Sequence, residues 1–430
     1  MWLLYECGLL LGLLLYVPKA LWRRRLPHRG WTMRLGRYPR GVTDLLGGRP
    51  TLWVHAVSVG EVLAVRPLLQ ALQAARPQTP LVLSTITPGG FGIASKAMDG
   101  RGAAVYFPLD LRVCVRRALR AFRPRLLLLV ESELWPAAIR LTRGAGIPVV
   151  LVNGRISPRA FRRYRLIRPW LDGLLRQVDL FLMQSQEDAD RLVALGAARA
   201  RVKVTGSLKW DASLGVRPSA AALQQAAARL GLHGQETLLV GGSTHRGEER
   251  WILEAFAAVR ASHRDARLIL APRHLERLDE VERLVQRSGH VPVRLSRVAQ
   301  RLDWDVGLVD TFGELPTYYG LSSLVVIGGS FIPHGGQNPL EASSLGKPVV
   351  FGPSMQNFAD IAQQLLAHQA ARQVAGGPEL AAVLQELLAN QAKTQAMGRR
   401  AQELTERFRG AAQRTLDALQ PYLPPAASPG

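Results

Sequence analysis

Two stretches of this chain place carboxylates directly after apolar runs. Residues 52–61 read LWVHAVSVGE, and residues 126–136 read LLLLVESELWP. A carboxylate held rigidly at the end of a strand can take a proton from a hydroxyl group, so Glu61 is a candidate general base. Glu131 could orient a second group or raise the pKa of a neighbouring base. The alternative for both is a purely structural glutamate that complements the dipole or caps the start of a helix.

A glycine-rich stretch indicates a nucleotide site. Residues 330–361 read SFIPHGGQNPLEASSLGKPVVFGPSMQNFADI and follow an apolar run. Gly335 and Gly336 are expected to open a helix that carries Asn338 and Glu341. Free backbone N–H groups at the start of a helix bind anions. A carboxylate one turn inside the helix can accept hydrogen bonds from a ribose diol.

Five further polar residues follow other apolar runs. They are Arg155 in VNGRIS, Lys209 in TGSLKWD, Ser243 and Thr244 in GGSTHRGEE, and Arg273 in APRH. Arginine and lysine side chains suit phosphate or carboxylate groups, and the Ser-Thr turn resembles a phosphate cradle. An ordinary turn, a solvated cation or a capped helix start would explain the same residues. The GGSTHRGEE stretch lacks both GK[ST] and GxGxxG, which excludes the two nucleotide folds that those motifs mark.

The sequence predicts no metal site. Two D-x-D triplets occur, at residues 188–190 and 303–305, but neither has a convergent set of oxygen ligands around it. The histidines are scattered singly along the chain, so a histidine cluster is not expected.

The net charge of the chain limits the classes of partner that it can bind. The formal net charge is +22, which suits nucleic acid, an anionic membrane or a phosphorylated substrate. No zinc finger, RNP motif or basic tail is present, so we expect no nucleic-acid partner. Cys7 and Cys114 lie far apart and give no disulfide framework.

The N-terminus predicts a membrane anchor. Residues 2–22 are nearly all apolar, and arginines follow at positions 23–25. A run of about 20 residues is the lower end of a membrane span. Because the positive charge follows the run and no small-residue cleavage site is present, a cleavable signal is not expected. The positive-inside rule then keeps the rest of the chain in the cytoplasm. A buried or in-plane helix is the alternative.

The remaining chain alternates apolar runs with helical patterns, which is typical of parallel sheets covered on both faces. We therefore expect an α/β protein with two doubly wound, Rossmann-like domains that face a cleft, where ligands bind beyond the carboxyl ends of the strands. The predicted segments are a membrane anchor helix (1–25), an N-terminal domain (26–206), a linker (207–235) and a C-terminal domain with C-terminal helices (236–425). The predicted strands are residues 52–57, 81–85, 103–106, 126–130, 149–152, 180–183, 202–204, 237–241, 268–271, 306–309, 324–327 and 349–351.

The ordered motifs of this chain resemble those of a known family. They are HAVSVGE, STITPGGFG, YFPLD, VESELWP, VNGRIS, GSLKWD, GGSTHRGEE, APRH and GGQNPLE, and they span nearly the whole chain. Together they resemble the 3-deoxy-D-manno-octulosonic acid (Kdo) transferases of lipopolysaccharide assembly. The resemblance implies a GT-B glycosyltransferase anchored in the inner membrane with its domains on the cytoplasmic face. It would transfer Kdo from CMP-Kdo to the tetraacylated lipid A precursor, lipid IVA, with inversion and without a metal or other cofactor.

The resemblance also implies roles for individual residues. Glu61 matches the proposed general base of the family, and Glu131 falls in its second acidic motif. Acceptor contacts would come from Ser58, Gly60 and Arg155. The residues that would hold CMP-Kdo are Lys209, Ser243, Thr244, Arg273, Gly335, Gly336, Gln337, Asn338 and Glu341.

One position departs from the family pattern, because family members commonly have histidine where this chain has Gln337. Glutamine keeps a hydrogen-bond donor and an acceptor but takes up no proton near neutrality. Two other functions fit the same features less well. One is a GT-B transferase that uses a different nucleotide sugar, and the other is a non-catalytic membrane lipid-binding protein.

Overall fold

Strands and helices alternate along both halves of the chain. The computed structural model describes residues 5–6, 8–9, 11–12, 30–212, 217–234, 236–300 and 303–425, without the side chains of residues 299 and 300. Within these residues the chain forms two units. Unit 1 holds the described residues up to Ala212 and those from Arg409 onward, and unit 2 holds residues 217–408.

Unit 1 is built on a parallel sheet. Its strands are β1 (Thr51–His55), β2 (Leu81–Thr85), β3 (Gly102–Tyr106), β4 (Pro124–Val130), β5 (Val149–Gly154), β6 (Leu180–Met183) and β7 (Val202–Val204). Its helices are α1 (Trp31–Arg34), α2 (Arg40–Leu46), α3 (Val59–Ala75), α4 (Pro88–Met98), α5 (Arg112–Phe122), α6 (Pro136–Gly144), α7 (Pro158–Leu166), α8 (Arg168–Leu175), α9 (Gln186–Ala194) and α10 (Leu208–Ala212).

The strand order in unit 1 is β3-β2-β1-β4-β5-β6-β7, and every pair is parallel. Every residue of β1 is buried because the sheet is covered on both faces. Trp53 packs into the hydrophobic cluster on one face, and Val54 packs into the cluster on the other face, against Val65 of α3. The strand order reverses between β1 and β4, which is where ligands bind in open parallel sheets.

Unit 2 repeats this plan. Its strands are β8 (Leu238–Thr244), β9 (Arg267–Pro272), β10 (Pro292–Arg294), β11 (Val306–Leu308), β12 (Leu324–Ile327), β13 (Val349–Phe351) and β14 (Ala371–Gln373). Its helices are α11 (Ala220–Leu230), α12 (Glu248–Arg260), α13 (Leu278–Arg287), α14 (Leu315–Leu321), α15 (Leu340–Ser343), α16 (Ala359–Ala367), α17 (Gly377–Ala389) and α18 (Gln391–Phe408). The parallel order is β10-β11-β9-β8-β12-β13-β14, so the reversal lies between β8 and β12.

The last helix, α19 (Ala411–Leu419), corrects the predicted domain boundaries. The sequence assigned residues up to 425 to the C-terminal domain, but those from Arg409 onward belong to unit 1. Asp211 accepts the backbone N–H groups of Gly410 and Ala412 and so caps this helix. Leu419 packs into the same cluster as α3. The first helix of the predicted linker, α10, also belongs to unit 1.

The predicted anchor, residues 1–25, lies mostly outside the described residues. Among the residues that the structure describes, no helix combines the length and apolar character needed to cross a bilayer.

Candidate active site

Glu61 and Glu131 lie at the point where the strand order of unit 1 reverses. Glu61 is in the first turn of α3, after β1, and Glu131 directly follows β4. Strands β1 and β4 are hydrogen-bonded neighbours, with Val54 beside Leu128. The two carboxylates therefore follow adjacent strands at the same edge of the sheet, as the sequence predicted.

Hydrogen bonds fix the Glu61 side chain. Its Oε2 accepts the backbone N–H of Val57 at 2.7 Å, and its Oε1 accepts the Ser58 hydroxyl at 3.0 Å. Ser58 is also the N-cap of α3 and accepts the Glu61 N–H at 3.4 Å. These residues form a capping arrangement of the S-x-x-E type. The predicted structural role of Glu61 is thus real, and it holds the carboxylate in one orientation.

The electrostatics of the site favour a base that titrates near neutrality. Glu61 is only 9% exposed, and burial raises its pKa to about 7. The negative charges of Glu131 and Glu133 raise the pKa further, whereas the bonds from Val57 and Ser58 lower it. A general base works best when its pKa lies near the working pH, because it is then both available and basic enough.

Glu131 adopts an uncommon backbone conformation. Its φ is +63°, in the left-handed region that residues other than glycine rarely adopt. Its N–H donates to the carbonyl of Val152 in β5 at 2.9 Å. Its carboxylate forms an ion pair with Lys209, whose Nζ lies 3.3 Å from Oε1. Such conformations cluster at functional sites, where surrounding contacts hold them in place.

The structure places Lys209 in unit 1, on α10, where it forms an ion pair with Glu131. The backbone N–H of Leu208, the preceding residue, donates to Oδ1 of Asn153 at 2.9 Å. Asn153 is fully buried with a φ of +55°. The sequence placed Asn153 just past a predicted strand, whereas the structure includes it in β5, and its role in holding the Lys209 segment was not predicted.

Glu133 extends the acidic group. Burial raises its pKa, and the charge of Glu131 raises it further, while a hydrogen bond with Trp135 lowers it. Glu133 thus contributes to the electrostatic environment of Glu61.

The predicted acceptor residues lie at the same edge of the sheet. The Ser58 hydroxyl is engaged with Glu61, Gly60 is exposed in the first turn of α3, and Arg155 is half-buried just beyond β5. Their contact with an acceptor stays a prediction.

In unit 2, Glu248 holds two backbone segments together through hydrogen bonds, and the sequence analysis did not identify this residue. Glu248 is 0% exposed and lies in the first turn of α12. Its Oε2 accepts the N–H groups of Gly329 at 2.7 Å and His245 at 2.9 Å, and its Oε1 accepts that of Phe331 at 2.9 Å. Burial raises its pKa despite these bonds. Glu248 therefore ties the turn after β12 to the end of β8.

The glycine-rich turn differs from the predicted anion cradle. The N–H of Gly335 donates to the Ser354 hydroxyl at 3.0 Å, and that of Gly336 donates to the Gly329 carbonyl at 2.8 Å. The N–H of Gln337 donates to the Gly328 carbonyl at 3.1 Å. These three groups are already hydrogen-bonded within the protein, two to the turn itself and one to Ser354, so the expectation of free N–H groups at this place was wrong.

Glycine is required here for backbone geometry instead. Gly335 has a φ of +99° and Gly336 a φ of +76°. A Cβ at Gly328 would collide with the Ser243 carbonyl at the end of β8. The helix that follows, α15, has four residues and begins after Asn338, whose Oδ1 accepts the Leu340 N–H at 3.0 Å.

Two other residues that were predicted to bind CMP-Kdo, Ser243 and Thr244, lie at the end of β8. Ser243 has a φ of +54°. Thr244 is fully buried, and its hydroxyl donates to Oε1 of Glu249 at 3.0 Å. That hydroxyl bonds inward, which supports the structural alternative for Thr244.

The positive charge of Arg273 acts on the carboxyl group of Glu341. Arg273 is exposed just beyond β9, and its N–H donates to the Thr244 carbonyl at 2.9 Å. Burial raises the pKa of Glu341, whereas a bond from Asn338 and the charge of Arg273 lower it. The charge of Arg273 therefore acts on the carboxylate that the sequence predicted as a ribose contact, and that contact stays a prediction.

Gln337 bonds to a histidine. Its Nε2 lies 3.1 Å from Nε2 of His245, whose ring also packs 4.1 Å from that of His334. Burial lowers the pKa of His245 to about 4, and neighbouring positive charges add to the effect. His245 is therefore neutral at pH 7, and the amide of Gln337 donates to it. Among the described residues no group of three or more His, Cys, Asp or Glu has a geometry suited to a metal ion.

Comparison with known proteins decides the family. The family described as "3-Deoxy-D-manno-octulosonic-acid transferase (kdotransferase)" matches residues 29–212. The 3-deoxy-D-manno-octulosonic acid transferase of Bordetella pertussis is 36% identical over 86% of this chain and 87% of its own length. The enzyme of that name from Haemophilus influenzae is 32% identical over 86% of this chain and 87% of its own. The chain belongs to the Kdo transferase family. It is therefore a glycosyltransferase.

A solved structure supports the fold. UDP-GlcNAc 2-epimerase from Neisseria meningitidis, bound to UDP-GlcNAc, aligns with a TM-score of 0.57 over 86% of this chain and 99% of its own. At 15% identity this similarity concerns the fold alone. It agrees with two parallel-sheet α/β units of GT-B type, each of the plan described above.

Proposed function

We propose that this Kdo transferase moves Kdo from CMP-Kdo to the lipid A precursor, with inversion at the anomeric carbon and Glu61 as the general base. The observation that carries the proposal is the Glu61 carboxylate. It is oriented by Val57 and Ser58 at the sheet reversal, and its pKa of about 7 leaves it partly ionised at neutral pH.

The reaction assigns a clear task to this group. The oxygen of an acceptor hydroxyl forms a bond to the anomeric carbon of Kdo while the bond from that carbon to the phosphate oxygen breaks. CMP leaves with the electron pair, and the hydroxyl proton passes to Glu61. Only the ionised form of Glu61 can accept that proton. The charges of Glu131 and Glu133 raise the pKa of Glu61, which makes its carboxylate a stronger base but lowers the ionised fraction at a given pH.

Unit 2 supplies the features that a departing phosphate needs. The charge on CMP increases as the bond breaks, and fixed cations and dipoles stabilise such charge. We propose that Arg273 contacts the phosphate and that Glu341 and Asn338 contact the ribose. In this proposal Gly335, Gly336 and Gln337 line the same CMP-Kdo site, and Ser243 lies beside it. Lys209 can bind CMP-Kdo only if its ion pair with Glu131 is broken. The proposed reaction uses no metal or other cofactor.

The acceptor side of the proposal involves the inner membrane. The lipid A precursor carries phosphates and acyl chains, and a basic surface beside a membrane attracts it. Arg155, Ser58 and Gly60 are the proposed contacts near Glu61. Four arginines on α5 extend the basic surface: Arg112, Arg116, Arg117 and Arg120. We propose that the enzyme is anchored through its N-terminus, with both units on the cytoplasmic face.

The test is a purified-enzyme reaction with CMP-Kdo and lipid A precursor, with products counted by mass spectrometry. We expect Kdo addition by the wild type. Loss of a general base costs about 10²–10⁴-fold in rate, so Glu61→Gln should lose transfer to that extent. The variant should still bind CMP with unchanged affinity in calorimetry.

Glu187→Gln is the matched control. Glu187 also lies in the first turn of a helix, but its side chain is 79% exposed and pairs with Arg191. Its rate should equal that of the wild type. Wild-type turnover by Glu61→Gln would exclude Glu61 as the base, and turnover of UDP-sugars in place of CMP-Kdo would contradict the proposed donor.

A further inference from the structure

Two residues near the start of the apolar run contact unit 1. The Tyr5 hydroxyl donates to Oδ2 of Asp110 at 2.8 Å, and its ring lies 6.4 Å from the ring of Trp170 in α8. The Glu6 carboxylate lies 3.5 Å from the guanidinium of Arg112 in α5. Three separate contacts thus join this short stretch to α5, to α8 and to the segment between β3 and α5.

Asp110 is part of the framework of unit 1 and not a flexible surface group. It is 2% exposed, and its carboxylate accepts the N–H groups of Ala137 at 2.9 Å and Ala138 at 2.7 Å in the first turn of α6. A buried carboxylate is stable only when its oxygens find donors. The Tyr5 hydroxyl is the third donor, and burial beside Asp110 raises the pKa of Tyr5.

Glu6 is better accommodated in this docked position than in lipid. It lines a cavity of about 140 Å³ together with Tyr5. The lining of this cavity also includes three arginines: Arg112, Arg116 and Arg140. A carboxylate in the hydrocarbon region of a bilayer is costly. Beside these guanidinium groups the same charge is compensated.

An exposed apolar pair lies next to the docked stretch. Leu166 is 84% exposed and Ile167 is 44% exposed at the junction of α7 and α8. The N–H of Trp170 donates to the Ile167 carbonyl at 3.0 Å, so the pair is one turn from the ring that Tyr5 contacts. Three arginines flank the pair: Arg163, Arg165 and Arg168. Exposed apolar side chains among arginines are typical of a surface that rests on an anionic bilayer.

We propose that Tyr5 and Glu6 stay docked on unit 1 in the membrane-bound enzyme, so that the N-terminal end of the apolar run lies on the same side of the bilayer as unit 1. The positive-inside prediction put the other end, with its arginines, on the cytoplasmic side already. This inference rests on the membrane association proposed above.

Cysteine labelling tests the position of the N-terminal end. Gly8 and Gly144 are both exposed with open space around them, and Gly144 belongs to α6 of unit 1. Each is replaced by cysteine, as Gly8→Cys or Gly144→Cys, in a chain with Cys7→Ala and Cys114→Ala. A membrane-impermeant maleimide is applied to spheroplasts, inverted vesicles and detergent-solubilised membranes.

The expected result is equal behaviour of the two positions, with labelling in inverted vesicles and none in spheroplasts. Labelling of Gly8→Cys in spheroplasts would overturn the proposal, because the N-terminal end would lie across the membrane from unit 1. Labelling of Gly8→Cys only after solubilisation would also overturn it, because that end would lie within the hydrocarbon.

A crosslink tests the docking itself. Benzoylphenylalanine in place of Tyr5 should crosslink on illumination to the α8 peptide that contains Trp170, as mapped by mass spectrometry. Crosslinks to lipid alone would contradict the docking. Neither experiment measures transfer, so a failed Kdo transfer assay and a failed docking test remain distinguishable. If the protein did not float with membranes, the membrane part of the proposed function would fail while the crosslink still decided the docking.

Discussion

Glu61 in unit 1 and Glu248 in unit 2 occupy equivalent places. Each lies in the first turn of the helix that follows a central strand, β1 or β8, next to the reversal of strand order. Burial raises the pKa of both carboxyl groups. Topology and the direction of the pKa shift therefore do not distinguish the two residues.

Their hydrogen-bond donors do distinguish them. Glu248 is fully buried and receives three backbone N–H groups, from His245, Gly329 and Phe331. Glu61 receives one backbone N–H and one hydroxyl, keeps some exposure, and lies in the field of other carboxylates. A carboxylate whose acceptor positions are filled by backbone holds a turn. A carboxylate with only two donors keeps unfilled acceptor positions, at which it can take a proton from a substrate.

The largest expected effect is the destabilisation of unit 2 by Glu248→Gln. The amide NH₂ would face at least one backbone N–H, and each buried donor that loses its acceptor costs about 1–3 kcal/mol. We expect a loss of about 3 kcal/mol in the free energy of unfolding, measured by denaturant titration of tryptophan fluorescence.

Glu254→Gln on the exposed face of α12 is the control, because Glu254 forms only a surface pair with Arg250. Surface pairs of this kind contribute about 0–1 kcal/mol. Equal stabilities of the Glu248 and Glu254 variants would show that the three N–H bonds are not structural.

The stability of the Glu61→Gln variant relative to the wild type should instead increase as the pH rises. The pKa of Glu61 is about 7 in the folded chain against a usual value of 4.5. Between these two values the unfolded chain has released the proton and the folded chain has not, so wild-type stability falls as the pH rises through this window. The glutamine variant lacks that penalty. Since one pKa unit corresponds to about 1.4 kcal/mol, the variant should gain about 3 kcal/mol relative to the wild type between pH 4.5 and 8. Parallel stability curves for the two proteins over this range would refute the assigned pKa.

The rate of transfer should follow the ionisation of Glu61. Because only the ionised carboxylate accepts a proton, kcat/KM should fall about tenfold for each pH unit below 7 and level off above it. The residual rate of Glu61→Gln should show no such inflection. A wild-type profile that is flat from pH 5 to 8 would contradict the role of Glu61.

The smallest expected effects concern the ion pair of Glu131 and Lys209. Glu131→Gln removes a negative charge that raises the pKa of Glu61, so the inflection should move to lower pH. Lys209→Met removes the compensating positive charge, so the inflection should move to higher pH. Both shifts should be less than about one pH unit, since partly exposed charges are screened by water. Shifts of the same sign in the two variants would rule out an electrostatic role for the pair.

The strands were predictable because buried parallel strands form continuous apolar runs. All twelve predicted strands occur in the described residues, with end points that differ by a few residues. The strands β10 and β14 were missed. They are three residues long, read PVR and ARQ, and lie at the two edges of the sheet of unit 2, where the apolar pattern is lost.

The placement of α19 was not predictable from position in the chain. Its apolar face fits either sheet, and the sequence pattern says nothing about which one it covers. The choice is made by Asp211, which lies 199 residues before Gly410 and caps the helix from α10. A contact over that separation leaves no local signal.

The sequence by itself determined the family, the alternation of strands and helices, and the positions of Glu61, Glu131 and the glycine turn, because these depend on local patterns of apolar, acidic and small residues. Tertiary structure alone decided which of these groups stay available for chemistry. The N–H groups of Gly335 and Gly336 are consumed by Ser354 and Gly329, and the hydroxyl of Thr244 by Glu249. Glu61 has a pKa of about 7 because burial and its acidic neighbours raise the pKa, while only two hydrogen-bond donors lower it. Hydrogen-bond saturation depends on groups that are distant in sequence, so it follows only from the folded chain.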